Sequence, residues 1–474
     1  MLKFNDYRDA DRVFFYFEEI SKIPHGSFNT APIADYLESF AKEHSLTYTR
    51  DSADNVIIKK GATQGFETRP TVIIQGHTDM VAEKTADCEK DLDKDALDLF
   101  VDGDFIRARG TTLGGDDGVA VAYMLALLES DNIPHPALEM VFTSNEEVGL
   151  LGADALDTSL LEGRIMINVD SDDEGIFTVG CAGGGRVDFT LPVSKCENTD
   201  KCYKLSVSEL LGGHSGVEID KCRANAIKIG AKILSALGEL SIASIDGGTK
   251  DNAIPREFTV TFASRFGISG AFEEAKSTAL KAFRDIEPNA KVTLTEADTA
   301  AETLTAESSK ILVSALKEIK TGVITMSEDI KGLVESSENL AIVKLDDDTV
   351  HFTVSVRSAK ADKKAELIAN LKAIGAKYGA EVSVRGEYPA WEYKKDSLIR
   401  DIACKVFSDM YGKEAKVITI HAGLECGIFS GKMEGLDCIS LGPDNYDIHT
   451  TEEHLSISST ARVWEFLKNV LKEI

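Results

Sequence analysis

Three short apolar runs constrain this chain more than any other feature. TVIIQG (71–76), LEMVFT (138–143) and RIMINV (164–169) are largely free of polar residues, and each gives way within three residues to acid or imidazole. Near-continuous apolar runs of this length suit strands buried on both faces of a largely parallel sheet. Helical periodicity at 11–22 and 31–44, a short strand at 55–60 and a strongly apolar helix at 117–129 supply the layers around it. Residues 1–186 therefore read as α/β.

The texture changes after that point. Strand-like runs (203–208, 258–263) alternate with helical ones (219–237, 270–285), and the arrangement recurs. The segment 251–264 is echoed by 338–359, each followed by a helix and a closing strand (291–296, 380–385), which suggests two related α+β modules. Buried-sheet character returns with strands at 416–420 and 436–441 and an amphipathic closing helix at 457–473. The order α/β, α+β, α/β predicts one catalytic domain built from 1–186 and 387–474. A lid or dimerisation-type α+β domain, 187–386, is inserted between its halves.

Composition narrows the function classes. A formal charge of −27 over 474 residues repels phosphate backbones and anionic lipid, so nucleic-acid and membrane partners are not expected. Eight cysteines without a Cys-x-x-Cys pair form no disulfide framework, the opening residues lack the apolar core of a signal peptide, and no run is long enough to span a bilayer. The expected compartment is a reducing cytoplasm. A Gly-x-Ser-x-Gly elbow, a phosphate-binding loop with its Lys-Ser/Thr, and a His-Glu-x-x-His helix are all absent.

Ligands of open α/β sheets bind just beyond the carboxyl ends of the strands. There this sequence places His77 and Asp79, Glu146 and Glu147, and Asp170; Asp116 and Asp117 open a helix after a glycine-rich turn, and His449 follows the last strand. Each alone has a plainer reading. His-x-Asp pairs are common core hydrogen bonds, paired glutamates usually face solvent, and Asp-Asp suits a helix start. Together they gather acids with almost nothing basic nearby. Converging carboxylates repel and protonate unless a cation joins them, and two imidazoles with several carboxylates suit zinc, manganese or cobalt.

The strings GHTDMV (76–81), TTLGGDDG (111–118), SNEEVG (144–149), NVDSDDEG (168–175), GGHSG (212–216), NAIPRE (252–257), HAGLECG (421–427) and DIHTTEE (447–453) together resemble the aminoacyl-histidine dipeptidases. These are carnosinase-like members of the co-catalytic di-zinc metallopeptidases. The resemblance implies hydrolysis of dipeptides, Xaa-His among them, by water activated between two divalent cations, zinc with manganese or cobalt as alternatives. It implies that His77 and Asp170 hold one cation, Glu147 and His449 the other, and that Asp116 bridges them. Asp79 would orient His77, Glu146 would be the general base, and His214 would reach the scissile carbonyl. A cis peptide bond is implied after Asp116. For the substrate, Asn252, Arg357 and Arg256 are candidates for its carboxylate, and His421 and Glu425 for the pocket wall; a surface ion pair is the favoured role of Arg256. Related di-zinc tripeptidases and N-acyl amino acid deacylases, and a non-catalytic zinc-binding scaffold, are the alternatives. The only expected partner is a small peptide. In relatives with a short insertion that domain dimerises, so either a homodimer or a monomer with a pseudo-dimeric lid is implied.

Overall fold

The computed structural model describes residues 8–328, 330 and 332–474. Its contacts divide it into two units. One runs to Cys181 and resumes over Tyr393–Thr419 and Leu424–Ile474; the other comprises Ala182–Glu392 and Ile420–Gly423. The seams expected at 186/187 and 386/387 fall inside strands Gly183–Pro192 and Glu381–Tyr388, which pair with each other and so belong wholly to the second unit.

The first unit is α/β, built on an eight-stranded mixed sheet. Its centre is four parallel strands, in spatial order Leu138–Thr143, Val72–His77, Ile165–Asn168 and Asp437–Ser440. All four are buried throughout, which is why their sequences run apolar instead of alternating. Antiparallel strands finish both edges. Register aligns the strand ends: His77 lies opposite Thr143, and Asn168 opposite both Gln75 and Ser440. The loops that follow therefore leave from one edge of the sheet.

Helix Gly115–Glu129 is buried along nearly its whole length because other helices flank it. It packs on Asp11–Ile20, and Tyr123 stacks on Trp464 of the closing helix Ile457–Glu473 at 6.0 Å, with its hydroxyl donating to the Thr460 carbonyl at 2.7 Å. Gly76 marks where this helix start meets the sheet: a Cβ there would lie 2.5 Å from both the Ala120 methyl and the Asp117 carboxylate. A second, small antiparallel sheet was not anticipated from sequence. It joins hairpin strands Leu99–Asp102 and Phe105–Ala108 to His454–Ser456 and Asn445–Tyr446, and so anchors both ends of the loop bearing His449.

The second unit is α+β. Its antiparallel sheet runs Lys291–Ala297, Cys202–Ser208, Phe258–Ala263, Ser241–Gly247, Val334–Asp346, Thr349–Ser358, Gly183–Pro192, Glu381–Tyr388, with Gly322–Met326 pairing beside Val334–Asp346. The first four strands, with helices Ala226–Ala236 and Ser269–Leu280, follow a β-α-β-β-α-β path. The last four, with helices Ala306–Glu318 and Ala361–Tyr378, follow the same path. The two modules share topology and meet through their second strands, where Asp246 lies opposite Lys344 and Gly247 opposite Val343. The segment read as one helix over 219–237 is broken: Asn225 caps a helix that starts at Ala226, its side chain accepting the Lys228 N–H at 3.1 Å.

Removing the Tyr123 hydroxyl isolates one buried hydrogen bond without opening a cavity. Tyr123→Phe should lower unfolding free energy by about 1 kcal/mol, read from the urea midpoint at unchanged slope. An unshifted midpoint would show that this bond adds nothing to the packing of the two helices.

Candidate active site

Beyond the carboxyl ends of the parallel strands, five residues from five separate segments come together. His77 ends its strand with 1% of its side chain exposed. Its Nδ1 lies 2.9 Å from the Asp79 carbonyl oxygen, which fixes the ring and turns Nε2 outward. That Nε2 is 3.0 Å from Asp116 Oδ1 and 3.9 Å from Asp170 Oδ1. The other oxygen of Asp116, Oδ2, is 3.1 Å from His449 Nε2, and His449 Nε2 is 2.9 Å from Glu147 Oε1. One carboxylate thus faces two imidazoles, one with each oxygen. His77, Asp116 and Asp170 offer donor atoms within 4.8 Å of one another, and so do Asp116, Glu147 and His449. Glu147 Oε1 is buried and, despite its nearness to His449, makes no hydrogen bond among the described residues. An unsatisfied buried carboxylate oxygen beside imidazole nitrogen is what a cation ligand looks like without its cation. The donor set, nitrogen and carboxylate oxygen only, fits a borderline divalent ion.

The turn carrying Asp116 has the backbone to aim it. Asp116 and Asp117 leave helical geometry (φ −84°, ψ 104° and φ −119°, ψ 32°) and the bond between them is cis. Asp117 points back under the sheet, where its Oδ2 accepts the His77 N–H at 3.2 Å.

Asp79 does something other than grip the imidazole of His77. Its carboxylate stands 3.6 Å from Nδ1, farther than its own carbonyl. It accepts instead from Ser27 Oγ at 2.8 Å and from the N–H groups of Glu146 at 2.9 Å and Glu147 at 3.4 Å. Asp79 therefore sets the glutamate loop as much as the histidine. Glu146 is the third member of a further group with His77 and Glu147, so it too faces the cluster.

Electrostatics reflect the crowding. Burial pushes Glu146 well above the usual carboxylate range, and Asp170, Glu425 and Glu147 add repulsion. Burial likewise lifts Asp170 to about 7, helped by Asp116 and Glu147. The carboxylates of Asp116 and Glu147, both close to its Nε2, favour its charged form and raise His449 to about 10. Asp116 goes the other way despite its burial, because both histidines favour its charged form.

Beneath the cluster lies a polar layer centred on Glu425, which was expected in the pocket wall; its other members Gln75, Thr143 and Asn168 were missed by sequence reading. Gln75 Nε2 donates to Glu425 Oε2 at 2.5 Å, Thr143 Oγ1 donates to the same oxygen at 2.7 Å, and Asn168 Nδ2 donates to Gln75 Oε1 at 2.7 Å. Burial raises Glu425 to about 7. Its place is under the strand ends. The one sequence clue was a polar residue, Gln75 or Asn168, interrupting an otherwise apolar strand. Glu453 was also missed; it is 3% exposed and sits against the turn that carries Asp116.

The remaining candidates belong to the second unit. His214 lies on the short pair Gly213–His214 and Ala253–Ile254. Its Nδ1 accepts N–H groups from Gly216 at 3.1 Å and Val217 at 3.2 Å, so the ring proton of the neutral imidazole sits on Nε2. Burial and then Arg357 push its pKa down. Arg357 is 5% exposed; one arm donates to the Tyr388 hydroxyl at 2.8 Å and its Nε is unpartnered. His421 pairs through Nε2 with Ser337 Oγ at 2.7 Å, leaves Nδ1 unpartnered, and is pushed down to about 3 by burial. A Cβ on Gly216 would touch both His214 and the His421 carbonyl, so the two histidines are neighbours. Asn252 sits beside them, its carbonyl accepting the Ser215 N–H at 2.8 Å. Among the described residues Arg256 makes no ion pair of the kind expected; its Nε donates to the Leu210 carbonyl at 3.0 Å.

An α/β unit that gathers imidazoles and carboxylates past its parallel strands, with a second α+β unit inserted in its chain, is the architecture of a peptide-bond hydrolase. The chain belongs to peptidase family M20/M25/M40, whose model matches residues 73–473. It is 34% identical over 473 residues to the cytosol non-specific dipeptidase of Escherichia coli (strain K12), covering 97% of this chain and 96% of that protein. The crystal structure of aminoacylhistidine dipeptidase from Vibrio alginolyticus matches it with a TM-score of 0.91 at 31% identity, over 98% of this chain and 96% of that one. Aminopeptidase PepT from Bacillus cereus ATCC 10987 shares the fold, with a TM-score of 0.58 at 18% identity over 98% of each chain.

The shifts carry a pH signature. His449, raised from 6.5 to about 10, holds its proton more tightly in the folded chain; that stabilisation is complete below about pH 6.5 and is lost as pH rises toward about 10. Asp170 has the same sign over a lower window, from 3.8 to about 7. Chelator-treated protein should therefore melt at progressively lower temperature from about pH 7 to about pH 10, and the fall should be shallower in His449→Gln. Parallel curves for the two proteins would show that His449 does not meet its carboxylates.

Proposed function

We propose that this chain is a metal-dependent dipeptidase that cleaves Xaa-His and related dipeptides, acting in the cytoplasm. The observation that carries the reading is Asp116, whose two oxygens face His77 and His449 separately. In this reading His77 and Asp170 hold one divalent cation, Glu147 and His449 hold a second, and Asp116 is common to both. Zinc suits the ligands, with manganese or cobalt next. Cations bound there would supply Lewis acidity to a peptide carbonyl and make a water molecule a better nucleophile.

The chain's own groups do the rest. A carboxylate oxygen of Glu146 takes the proton of the attacking water and returns it to the leaving amine nitrogen. Burial raises its proton affinity, which favours its taking a proton from water. Asp79 holds the Glu146 N–H and so fixes where that carboxylate stands. His214 presents Nε2–H as a donor for the carbonyl oxygen as negative charge develops on it. Its lowered pKa keeps the imidazole neutral, with that one N–H still in place.

A free dipeptide brings its own carboxylate. The unpartnered Nε of Arg357 and the amide of Asn252 are our candidates to receive it, with His421 beside them. A buried guanidinium with a free N–H is costly unless an anion meets it, which favours a substrate ending in a free carboxylate. The names of the Escherichia coli and Vibrio alginolyticus relatives, one non-specific and one aminoacylhistidine, support dipeptides as the substrate class. For the compartment, the support is the name of the cytosolic relative.

Glu146→Gln should retain wild-type metal content while kcat falls by about 10²–10⁴; undiminished turnover would assign the base elsewhere. Mixing that variant with His214→Ala asks whether a site is shared between chains. The paired modules of the second unit support a self-sufficient chain, so the mixture should stay inactive, and recovered activity would mean an exchanged histidine. Against β-alanyl-histidine, glycyl-histidine, alanyl-leucine, a tripeptide and an N-acetyl amino acid, the dipeptides should be the preferred substrates, and chelation should abolish their hydrolysis. Equal turnover of the acetylated amino acid would defeat the dipeptidase reading in favour of a deacylase.

A further inference from the structure

Glu453 has no part in the chemistry above, yet its carboxylate is fully occupied. Oε2 accepts the N–H groups of Leu113 at 2.7 Å and Gly114 at 2.9 Å; Oε1 accepts those of Gly115 at 2.8 Å and Asp116 at 3.2 Å. Four successive amides converging on one point form an anion-binding concavity, and they include helix-start donors that have no intrahelical partner. Here the anion is the protein's own side chain, 3% exposed.

The position of that side chain is what matters. Glu453 ends the loop that carries His449, and the amides it holds lead into Asp116, 337 residues away in sequence. His449 has positive φ (63°) in a loop tied down by the strands Asn445–Tyr446 and His454–Ser456. Asp116 follows three glycine- or leucine-bearing positions with no side-chain anchor of comparable strength. A rotation of that turn would take one Asp116 oxygen away from His77 or the other away from His449. Glu453 spans both loops with all four of these hydrogen bonds, and Asn445, at the other end of the His449 loop, lies beside the same turn.

We propose that Glu453 is a positioning residue for the cation pair: by clamping the Asp116 turn to the His449 loop it holds the shared carboxylate where both cations would need it. The inference rests on the reading of this cluster as a cation centre. The alternative is a helix cap and nothing more. A cap alone stabilises the fold, whereas a positioning residue also sets cation affinity.

Glu453→Gln separates the two. The substituted amide keeps one acceptor oxygen and turns an NH₂ toward two N–H donors, so half of the clamp opposes itself. The probe is Co²⁺ alone, titrated into chelator-stripped protein against a competing chromophoric chelator, at a temperature where circular dichroism shows the variant folded. Affinity should fall by about 10–100-fold, the range seen when groups supporting metal ligands are removed. Glu453→Asp, too short to reach all four amides, should fall between the two. Unchanged affinity in both variants, with a lower melting point only, would overturn the proposal and leave a cap. If the unsubstituted chain bound no Co²⁺, the cation centre itself would be wrong, which is a different outcome. Hydrogen exchange on the unsubstituted chain tests the clamp even if neither variant folds. The amides of Leu113, Gly114, Gly115 and Asp116 should be protected before Co²⁺ is added, and rapid exchange in the stripped protein would refute preorganisation.

Discussion

One partly buried carboxylate shared between two imidazoles organises the first unit. Asp116 reaches His77 with one oxygen and His449 with the other, and neither contact survives a small rotation of the turn that presents it. The surrounding architecture supplies the restraint. Parallel strands in register bring three loops out at one edge, and Gly76 lets the helix start approach the sheet closely enough for Asp117 to accept the His77 N–H. Asp79 ties the glutamate loop to the histidine strand. Burying so many acids together is unfavourable without compensation, and the upward shifts of Glu146 and Asp170 measure that frustration. Within the proposed function, that cost is offset by the cations the site would receive.

The second unit follows another plan. A β-α-β-β-α-β module occurs twice and is joined through paired second strands, giving one continuous antiparallel sheet. Arg357, buried with a spare N–H, stands on that sheet; His214, held in the Nε2–H tautomer, lies on the separate short pair Gly213–His214 and Ala253–Ile254, and His421, pushed far toward its neutral form, lies in the segment Ile420–Gly423. Arg357 donates to the Tyr388 hydroxyl, and the Nε2–H of His214 is a further donor suited to oxygen. In the proposed function the groups of the first unit accept protons or hold cations, and the chain divides the two duties, activation of water and reception of an anionic substrate, between its two units.

Much of this was legible in the sequence, for physical reasons. Strands Leu138–Thr143 and Val72–His77 announce themselves because burial on both faces leaves little room for polar residues, and the acids after them stand out by contrast. Helix Ile457–Glu473 was readable from periodicity alone. The convergence of His77, Asp116, Glu147, Asp170 and His449 followed from strand-end logic together with family resemblance. Other features left no such trace. Glu453 follows another glutamate, Glu452, and nothing local says which of the two turns inward; the partners that decide it are more than 330 residues away. The hairpin Leu99–Asp102 and Phe105–Ala108 is short and half-exposed, so it lacks an apolar run. The orienting contact to His77 comes from a main-chain carbonyl, to which sequence is blind.

The central claim is that these side chains make a two-cation centre, and counting the cations tests it most directly. Protein purified without chelator and analysed for metals by plasma emission should carry two divalent ions per chain, falling to one or none in Asp116→Ala. A full-length folded chain that holds no divalent ion, and takes up none from a micromolar zinc or cobalt solution, would contradict the account.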